Sequence, residues 1–241
     1  MRPYAVIRVM HTALVPHIPG SGASLVVTGE EAKHAIRVKR LEVGHALRCA
    51  TGAGEVAIAT ISDIRKRAGE WELEATITQA QRVERSTPRL HVFASAPKGE
   101  RLESMIDGLA QVGAAGWSPL LTRRTVVEPS EHKRHRLERV ALEALKQCGS
   151  AYVLEIGEPV ELRDALRHLP VVLADASGDA WSPHMGAGAA QLSLLIGPEG
   201  GWTPQELETA RAAGAVIAKF GRHTMRTEVA AVVAAGIVLH T

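Results

Sequence analysis

The spacing of hydrophobic and polar residues changes near residue 85. Before that point, short apolar segments alternate with polar residues between glycine-containing turns, a pattern typical of β-strands. The predicted strands are residues 24–28, 45–50, 55–61 and 71–78, with one short helix at 30–40. This pattern predicts a small β-barrel or curled sheet. The polar stretch 84–88 ends in proline and predicts a linker, so that the chain divides into domains 1–85 and 86–241.

From Leu90 onward, apolar strand-like runs alternate with helical segments. The predicted strands are residues 90–94, 117–121, 171–174, 192–196 and 216–220. The predicted helices are residues 100–115 and 131–148, one that begins after Thr203, and a last one after Glu228 that is apolar on nearly every side. Alternation of this kind predicts an α/β domain with a mostly parallel sheet that is covered by helices on both faces.

Two glycine-containing turns near the C-terminus are the most informative part of this pattern. The first, Gly197-Pro198-Glu199-Gly200-Gly201, leaves the strand 192–196 and enters a helix. Three residues mark the start of that helix: Thr203 as N-cap, Pro204 at the first position and Glu206 completing a capping box. The second turn follows the strand 216–220. Loops at the carboxyl ends of parallel strands are typical ligand sites, although glycines can also serve as turn formers alone.

The common nucleotide-binding motifs do not account for these turns. The chain contains no P-loop sequence. Residues 52–57 formally match G-x-G-x-x-A, but no helical pattern follows them and β-forming residues surround them. We therefore interpret residues 52–57 as a hairpin turn.

Composition is typical of a soluble globular protein, with 46% hydrophobic and 22% charged residues. No apolar run approaches the roughly 18–20 residues that span a bilayer, and the start of the chain lacks the apolar core of a signal peptide. Cys49 and Cys148 lie far apart in the sequence, and we expect reduced thiols in a cytoplasmic protein. The histidines within residues 132–136 have no cysteine partners, so no metal site is expected.

The charge is unevenly distributed along the chain. Net charge is only +2, but residues 1–150 hold 22 Lys and Arg against 16 Asp and Glu, whereas residues 151–241 hold 6 against 10. This asymmetry favours a basic, phosphate-contacting surface on the first part of the chain, although each cluster alone could be a solvated face. The candidate RNA-binding residues are Arg37, Lys39, Arg40, Arg65, Lys66, Arg67, Arg123 and Arg124.

The paired C-terminal motifs resemble a known family. IGPEGGW (residues 196–202), followed about 20 residues later by FGRHTMRTEVA (220–230), is similar to the signature of the SPOUT RNA methyltransferases. More narrowly, it resembles the RsmE-like bacterial 16S rRNA (uracil-N3) methyltransferases. Residues 96–99 and 143–147 extend the resemblance. It implies a trefoil-knotted, mostly parallel SPOUT domain after a small PUA-like β-barrel that binds RNA, and a homodimer that acts on the small ribosomal subunit.

The same resemblance implies S-adenosylmethionine as the methyl donor, bound by three loops. The residues carried over to that site are Leu173, Ala174, Ile196, Gly197, Pro198, Glu199, Gly200, Gly201, Phe220, Gly221, Thr224, Met225 and Arg226. Glycines let backbone groups approach an adenine edge, and Leu173, Ile196 and Met225 could enclose its ring. Leu173 and Ile196 could equally be ordinary core residues.

Methylation at uracil N3 places its own demands on the chain. N3 carries a proton on the Watson–Crick edge, so the base must be unpaired or flipped out and the proton must leave. Arg226 and Glu228 offer a cation for the developing uracil anion and a general base. Arg226 could instead anchor a substrate phosphate, and Glu228 could orient Arg226. A purely structural Arg226–Glu228 pair is the alternative, and Glu199 is expected to stabilise its turn.

Three positions depart from the family pattern. The family usually has K-x-x-E-L-G where this chain has Gly108 and Gln111, and an arginine soon after Gln-Ser where this chain has Ser150. These departures concern substrate contacts more than the cofactor loops. They leave open another SPOUT specificity, such as ribose 2′-O methylation or another RNA, and an inactive ribosome- or RNA-binding homologue. A nucleotide-binding protein that uses residues 197–201 as an anion nest is a further alternative.

Overall fold

The two sequence patterns fold into two units, which are described separately. The structure is a computed structural model that describes residues 10–127, 130–168 and 170–241. The first unit contains the chain up to Glu84 together with Leu145–Tyr152, and the second contains Arg85–Ala144 and Val153–Thr241. Most of the start of the chain, where no signal-peptide core is expected, lies outside the described residues.

A five-stranded sheet forms the first unit. Its elements are β1 (Thr12–Leu14), β2 (Ser24–Thr28), α1 (Gly29–Lys33), β3 (Ala46–Ala50), β4 (Glu55–Arg67) and β5 (Glu70–Arg82). The spatial order of the strands is β1-β3-β4-β5-β2, and every pairing is antiparallel except that of β1 with β3. Its core is made of small and branched side chains such as Leu47, Ile61 and Leu73.

The first unit shows what its sequence pattern did and did not predict. The antiparallel pairing of β3 with β4 confirms that residues 52–57 form a hairpin turn. β4 and β5 are longer than predicted, because their polar ends pair through the backbone beyond the buried region. The helix predicted at 30–40 is divided into α1 and a π-helical turn, His34–Val38. The short, buried β1 was not predicted.

The second unit alternates strands and helices around a parallel sheet. The strands are β6 (Arg89–Ala94), β7 (Gly116–Leu121), β8 (Glu155–Ile156), β9 (Val160–Glu161), β10 (Val171–Ala180), β11 (Gln191–Ile196) and β12 (Val216–Lys219). The helices are α2 (Arg101–Val112), α3 (Glu131–Cys148, of which the residues from Leu145 onward belong to the first unit), α4 (Leu162–Ala165), a 3-10 turn at Pro183–Gly186, α5 (Pro204–Ala212) and α6 (Thr227–His240). The strand order is β12-β10-β11-β6-β7-β8, with β9 also beside β7, and all described pairings are parallel.

The strands of this sheet are buried on both faces, as the apolar runs predicted. Leu194 belongs to the core beneath α2, α3 and α6, whereas its neighbour Leu195 belongs to the core beneath α4 and α5. Because side chains alternate between faces along a strand, Leu173 lies on the face of Leu195 and Ala174 on the opposite face. The mostly parallel α/β architecture is therefore confirmed, while the trefoil knot stays a prediction from the resemblance.

Local signals placed several helix ends correctly. Thr203 caps α5, the reciprocal Thr203–Glu206 capping box is present and Pro204 opens the helix. α2 ends at Val112, three residues earlier than predicted, because Gly113 adopts a left-handed conformation with φ of 92°. Among the described residues, no helix is long and apolar enough to cross a membrane.

Candidate active site

Three segments meet at one edge of the parallel sheet. Ala174 of β10 lies opposite Ile196 of β11 and opposite Ala218 of β12, near the carboxyl ends of β11 and β12. β10 itself continues to Ala180, beyond its predicted end at residue 174, but its pairing with β12 is interrupted between Ala174 and Asp179. This irregular part of β10 and the loops after β11 and β12 surround a cavity of about 350 Å³. Its wall is formed by residues 174–176, 196–199, 201–202, 219–225, 227, 230 and 234. The sequence prediction of a ligand site at the two glycine turns thus corresponds to an actual cavity.

The GPEGG turn (residues 197–201) is held from below by Trp202. The Trp202 indole Nε1 donates to the backbone oxygen of Ala174 at 3.0 Å, which connects the turn to β10. A Cβ atom at Gly197 would lie 2.9 Å from Trp202 Cε2, closer than side chains tolerate. Gly197 is therefore required by the packed indole. The Thr227 hydroxyl donates to the oxygen of Gly197 at 3.3 Å and joins the turn to α6.

The far end of the turn is fixed at the start of α5. Gly201 N donates to the oxygen of Pro198 at 2.8 Å, and Gly201 adopts a φ of 69° that favours glycine. Glu206 is nearly fully buried and accepts hydrogen bonds from the Thr203 amide and hydroxyl and from the Arg123 amide. Burial opposes ionisation of Glu206, but these hydrogen bonds outweigh it and hold its pKa below the ordinary value.

The loop of residues 220–226 forms the other wall. Phe220 is buried and stacks on Trp181 with ring centroids 5.5 Å apart. A Cβ atom at Gly221 would lie 3.4 Å from Met225 Cε, an ordinary contact, so space alone does not require glycine there. The side chains of Arg222, His223 and Thr224 are exposed. This loop therefore brings polar groups to the rim of the cavity.

Most of the predicted cofactor residues line this cavity. Those that do are Ala174, Ile196, Gly197, Pro198, Glu199, Gly201, Phe220, Gly221, Thr224 and Met225. Three others do not contribute to the wall: Leu173 is fully buried in the core on the opposite face, Gly200 faces Arg124, and Arg226 lies at the N-cap of α6. Trp202, Lys219 and the start of α6 were missed. The aromatic residue directly after the glycines was the available signal for Trp202.

Arg226 and Glu228 lie at the start of α6 but are not paired. Arg226 is exposed, and within the part of the chain that the structure describes its side chain makes no hydrogen bond or ion pair. The Glu228 side chain is only 12% exposed, and its buried Oε2 has no hydrogen-bond partner among the described residues. Its ionic neighbour is Arg101, at 3.9 Å. The suggested Arg226–Glu228 pair is thus replaced by Arg101–Glu228.

Arg101 contacts two parts of the site that are distant from each other in the sequence, the GPEGG turn and the start of α6. It opens α2, and its guanidinium lies 3.7 Å from Glu199 of the GPEGG turn as well as 3.9 Å from Glu228. The contact arises because β6 ends beside β11, with Ala94 opposite Ile196. A tertiary contact of this kind leaves no local signal in the sequence, so Arg101 was not predicted.

The departures from the family pattern have local structural explanations. Gly108 allows α2 to approach α6, since a Cβ atom there would lie 2.7 Å from Val232 Cγ2. Gln111 donates to Asp107 one turn earlier at 2.7 Å. Ser150 exchanges two hydrogen bonds with the backbone of Tyr152. None of these three residues lines the cavity.

The predicted RNA-binding residues differ in how far their charges are already neutralised. Arg37, Lys39 and Arg40 are exposed on and after the π-helical turn. Arg65, in contrast, contacts three carboxylates, Asp63, Glu72 and Glu74, at 2.9–3.3 Å. The remaining candidates are Lys66, 5.8 Å above the Trp71 ring, the exposed Arg67, and Arg123 and Arg124 in the loop after β7. The described residues contain no group of His, Cys, Asp or Glu able to hold a metal ion.

Comparison with known proteins defines the class to which this arrangement belongs. Residues 84–239 match the model of the RNA methyltransferase domain, and residues 27–70 match that of the RNA methyltransferase PUA domain. The fold and site are therefore those of an RNA methyltransferase with an N-terminal PUA domain. More narrowly, the chain is 30% identical over 222 residues to the ribosomal RNA small subunit methyltransferase E of Synechocystis, covering 88% of this chain and 71% of the relative. It belongs to that methyltransferase family.

Solved structures show the same fold. A methyltransferase from Legionella pneumophila, in complex with the bound cofactor SAM, is 27% identical with a TM-score of 0.77, covering 95% of this chain and 96% of that chain. A ribosomal RNA small subunit methyltransferase E from Neisseria gonorrhoeae, bound to S-adenosyl methionine, superimposes with a TM-score of 0.83 at 21% identity and the same coverage. At that identity, the second likeness concerns the fold alone.

Proposed function

We propose that this chain transfers a methyl group from S-adenosylmethionine (SAM) to N3 of a uridine in 16S rRNA of the small ribosomal subunit. The observation that carries this proposal is the cavity between residues 174–176 of β10 and the carboxyl ends of β11 and β12, with Thr227 in its wall and the buried carboxylate of Glu228 next along α6. Membership of the methyltransferase family supports the reaction class, and the name of the Synechocystis relative supports small-subunit rRNA as the substrate.

The residues around the cavity suit SAM. A volume of about 350 Å³ lies within the range of about 300–1,000 Å³ that small-molecule sites usually have. Ile196, Phe220 and Met225 offer apolar surface for an adenine ring, while the glycine turns expose backbone donors and acceptors. Asp175 and Lys219 offer one charge of each sign for a ligand that carries both. When bound, SAM supplies an electrophilic methyl group on a positively charged sulfur.

Glu228 and Arg226 are the residues proposed to act on the uracil. The Oε2 of Glu228 lacks a hydrogen-bond partner among the described residues and lies 3.9 Å from Arg101, and this carboxylate is proposed to accept the proton that leaves N3. Arg226 is exposed between Met225 and Thr227, which both line the cavity, and its charge can stabilise the developing uracil anion or hold a neighbouring phosphate. Arg101 is proposed to orient the Glu228 carboxylate, because its guanidinium lies 3.9 Å from Glu228 Oε2 without forming a hydrogen bond to it.

The wider assembly is also part of the proposal. The PUA-like unit is proposed to bind rRNA through its exposed cations, and the protein to act in the cytoplasm, where ribosomal subunits are found. A homodimer is proposed because Val229 and Val233 leave apolar surface exposed on α6, 45% and 37% respectively, next to Arg226 and Glu228. A second copy that covers this surface would lie close to the methyl acceptor.

One experiment tests the reaction directly. Small subunits that lack the modification are incubated with the protein and methyl-labelled SAM, and the labelled nucleoside is identified after digestion. We expect 3-methyluridine. Label in a 2′-O-methylated nucleoside would instead assign another specificity, and tight subunit binding without label would identify an inactive binder. Glu228→Gln is the matched control, expected to bind SAM normally but to react about 10²- to 10⁴-fold more slowly.

The RNA-binding surface is tested by neutralising exposed cations. Replacing Arg37, Lys39 and Arg40 by glutamine should weaken subunit binding and reduce its salt dependence. The slope of log K against log salt concentration should decrease in magnitude by about 0.7–0.9 for each phosphate that these cations neutralise. Arg65→Gln is the control, because its charge is already compensated by three carboxylates. Equal effects of the two changes would show that general charge, not this surface, determines binding.

A further inference from the structure

Gly200 is the one residue of the GPEGG turn that does not line the cavity. Its oxygen instead accepts a hydrogen bond from Arg124 Nη1. A Cβ atom at Gly200 would lie 3.2 Å from Arg124 Cδ and 3.4 Å from Arg124 Cβ. The φ angle of Gly200 is not positive, so its backbone does not by itself require glycine. A side chain at residue 200 would therefore require the aliphatic stem of Arg124 to move by a few tenths of an ångström.

The segment that carries Arg124 is itself well anchored. Thr125 Oγ1 donates to the oxygen of Leu120 at the end of β7, and Thr122 N donates to Thr125 Oγ1 at 2.8 Å. Arg123 N donates to Glu206 Oε1 at 2.9 Å, which joins the same segment to the start of α5. The turn after β7 thus contacts the GPEGG region at two points, one through the Arg124 side chain and one through the Arg123 backbone.

We propose that Arg124 is a positioning residue for the cofactor turn, and that Gly200 serves to admit Arg124 rather than to contact the cofactor. The guanidinium holds the Gly200 oxygen, and the stem packs where a side chain at residue 200 would lie. Together they keep the Pro198–Gly201 hydrogen bond formed before the ligand arrives. The inference rests on the proposed function only in taking SAM as that ligand.

The first test needs no ligand. In Arg124→Ala, we expect the Gly201 amide, bonded to Pro198, to exchange with solvent about tenfold faster, since a hydrogen bond from a charged donor to this turn is removed. SAM affinity, measured by calorimetry, should fall about three- to tenfold because the turn is less preorganised. The α5 amide of Leu207 should be unchanged, which shows that the variant is folded.

Arg123→Ala is the matched control. It removes the same charge from the neighbouring exposed position, while its backbone hydrogen bond to Glu206 is retained. We expect little change in either measurement. If Arg123→Ala and Arg124→Ala have equal effects, or if Arg124→Ala changes neither amide exchange nor affinity, Arg124 has no positioning role and the proposal is overturned.

A double-mutant cycle separates the two explanations of Gly200. Gly200→Val displaces the Arg124 stem, so in the native background it should weaken SAM binding by about as much as Arg124→Ala does. In the Arg124→Ala background the same change should have almost no further effect. An equal loss in both backgrounds would mean that residue 200 meets the cofactor directly, and would overturn this assignment.

These outcomes are independent of which RNA is modified. A protein that binds SAM but fails to methylate uracil N3 would overturn the proposed function while the cycle still decides the role of Arg124. A protein that does not bind SAM would overturn the proposed cofactor, and the amide exchange of Gly201 would still report whether Arg124 holds the turn.

Discussion

The GPEGG turn and the 220–226 loop line the same cavity, but they are held in different ways. The GPEGG turn is fastened by the Trp202 indole, the Thr227 hydroxyl, the Arg124 guanidinium and the capping box of α5. The 220–226 loop ends in polar side chains that are exposed. Within the described part of the chain, the side chains of Arg222, His223, Thr224 and Arg226 make no hydrogen bonds or ion pairs.

This difference separates two requirements of a group-transfer site. A turn whose shape is fixed before binding favours a cofactor that binds in one defined conformation. The reason is that the protein then loses less conformational entropy when the complex forms. A large RNA substrate must find unoccupied charged groups, and the 220–226 loop offers them at the rim. We therefore infer that the first turn mainly fixes the shape of the cofactor site, whereas the exposed polar residues of the second loop, Arg222, His223, Thr224 and Arg226, mainly affect the reaction of the acceptor.

The largest effect is expected at Trp202. Trp202→Ala removes a buried indole and its hydrogen bond to Ala174, so the second unit should lose about 3–5 kcal/mol of stability. SAM binding should also be lost, because the indole no longer packs against Gly197 in the turn. Thermal unfolding and calorimetry measure both. Trp181→Ala is the comparison, because it removes the ring that stacks on Phe220 of the second loop. Its losses of stability and SAM affinity should be smaller, and equal losses would remove the distinction between the two loops.

The next largest effect concerns Arg226. Arg226→Ala should lower kcat by about 10²- to 10³-fold, as removal of one transition-state donor usually does. The dissociation constant for SAM should change by less than about twofold, or about 0.4 kcal/mol, because Arg226 lies outside the cavity wall. Arg222→Ala removes the same charge from a residue that does line the cavity. A large loss of SAM affinity in Arg226→Ala would reassign Arg226 to the cofactor.

The candidate site also shows how much of it could be predicted from the sequence alone. The glycine turns, the capping box and the apolar strands are local signals, and they placed the cavity at the correct edge of the sheet. Leu173 and Gly200 were carried over to the cofactor site from the family resemblance. Leu173 lies instead in the core on the opposite face of the sheet, because the alternation of side chains along β10 does not by itself show which face the cavity occupies. Gly200 faces Arg124, a contact that the sequence of the turn does not indicate.

Contacts between distant segments account for the other differences. Arg101 reaches Glu199 and Glu228 only because β6 pairs with β11 in the folded sheet. The extensions of β4 and β5 are polar and pair through the backbone, so they carry no hydrophobic signal. Local patterns thus predicted elements and their ends, whereas the partners of charged side chains required the tertiary structure.

Arg101 links the two loops and tests whether they act separately. Arg101→Ala should lower kcat about tenfold, because one long-range ion pair to the buried Glu228 is removed, an effect of about 1.4 kcal/mol. The KM for SAM should rise only about twofold through the exposed Glu199. Arg101→Lys should restore most of the rate. Arg136→Ala is the control, because it breaks an ion pair with Glu103, which lies on α2 like Arg101 but outside the cavity. A change confined to KM would place Arg101 with the cofactor turn alone.

The last expected effect concerns the stability contributed by Glu206, which has no counterpart in the second loop. Three donors converge on its carboxylate, so Glu206→Gln places an amide NH₂ against one of them and should cost about 1–2 kcal/mol at pH 7. Because folding lowers the pKa of Glu206, its contribution is fully present above the ordinary value of 4.5. That contribution is lost as the pH falls through the lower folded pKa, where the carboxyl becomes protonated.

Denaturant unfolding from pH 7 to 3 should therefore show the free energies of unfolding of the parent and Glu206→Gln converging below about pH 4.5. The exposed Glu208→Gln should have the same free energy of unfolding as the parent throughout. A difference that does not narrow at all as the pH falls below 4.5 would mean that Glu206 stabilises the turn by packing and not by its charge.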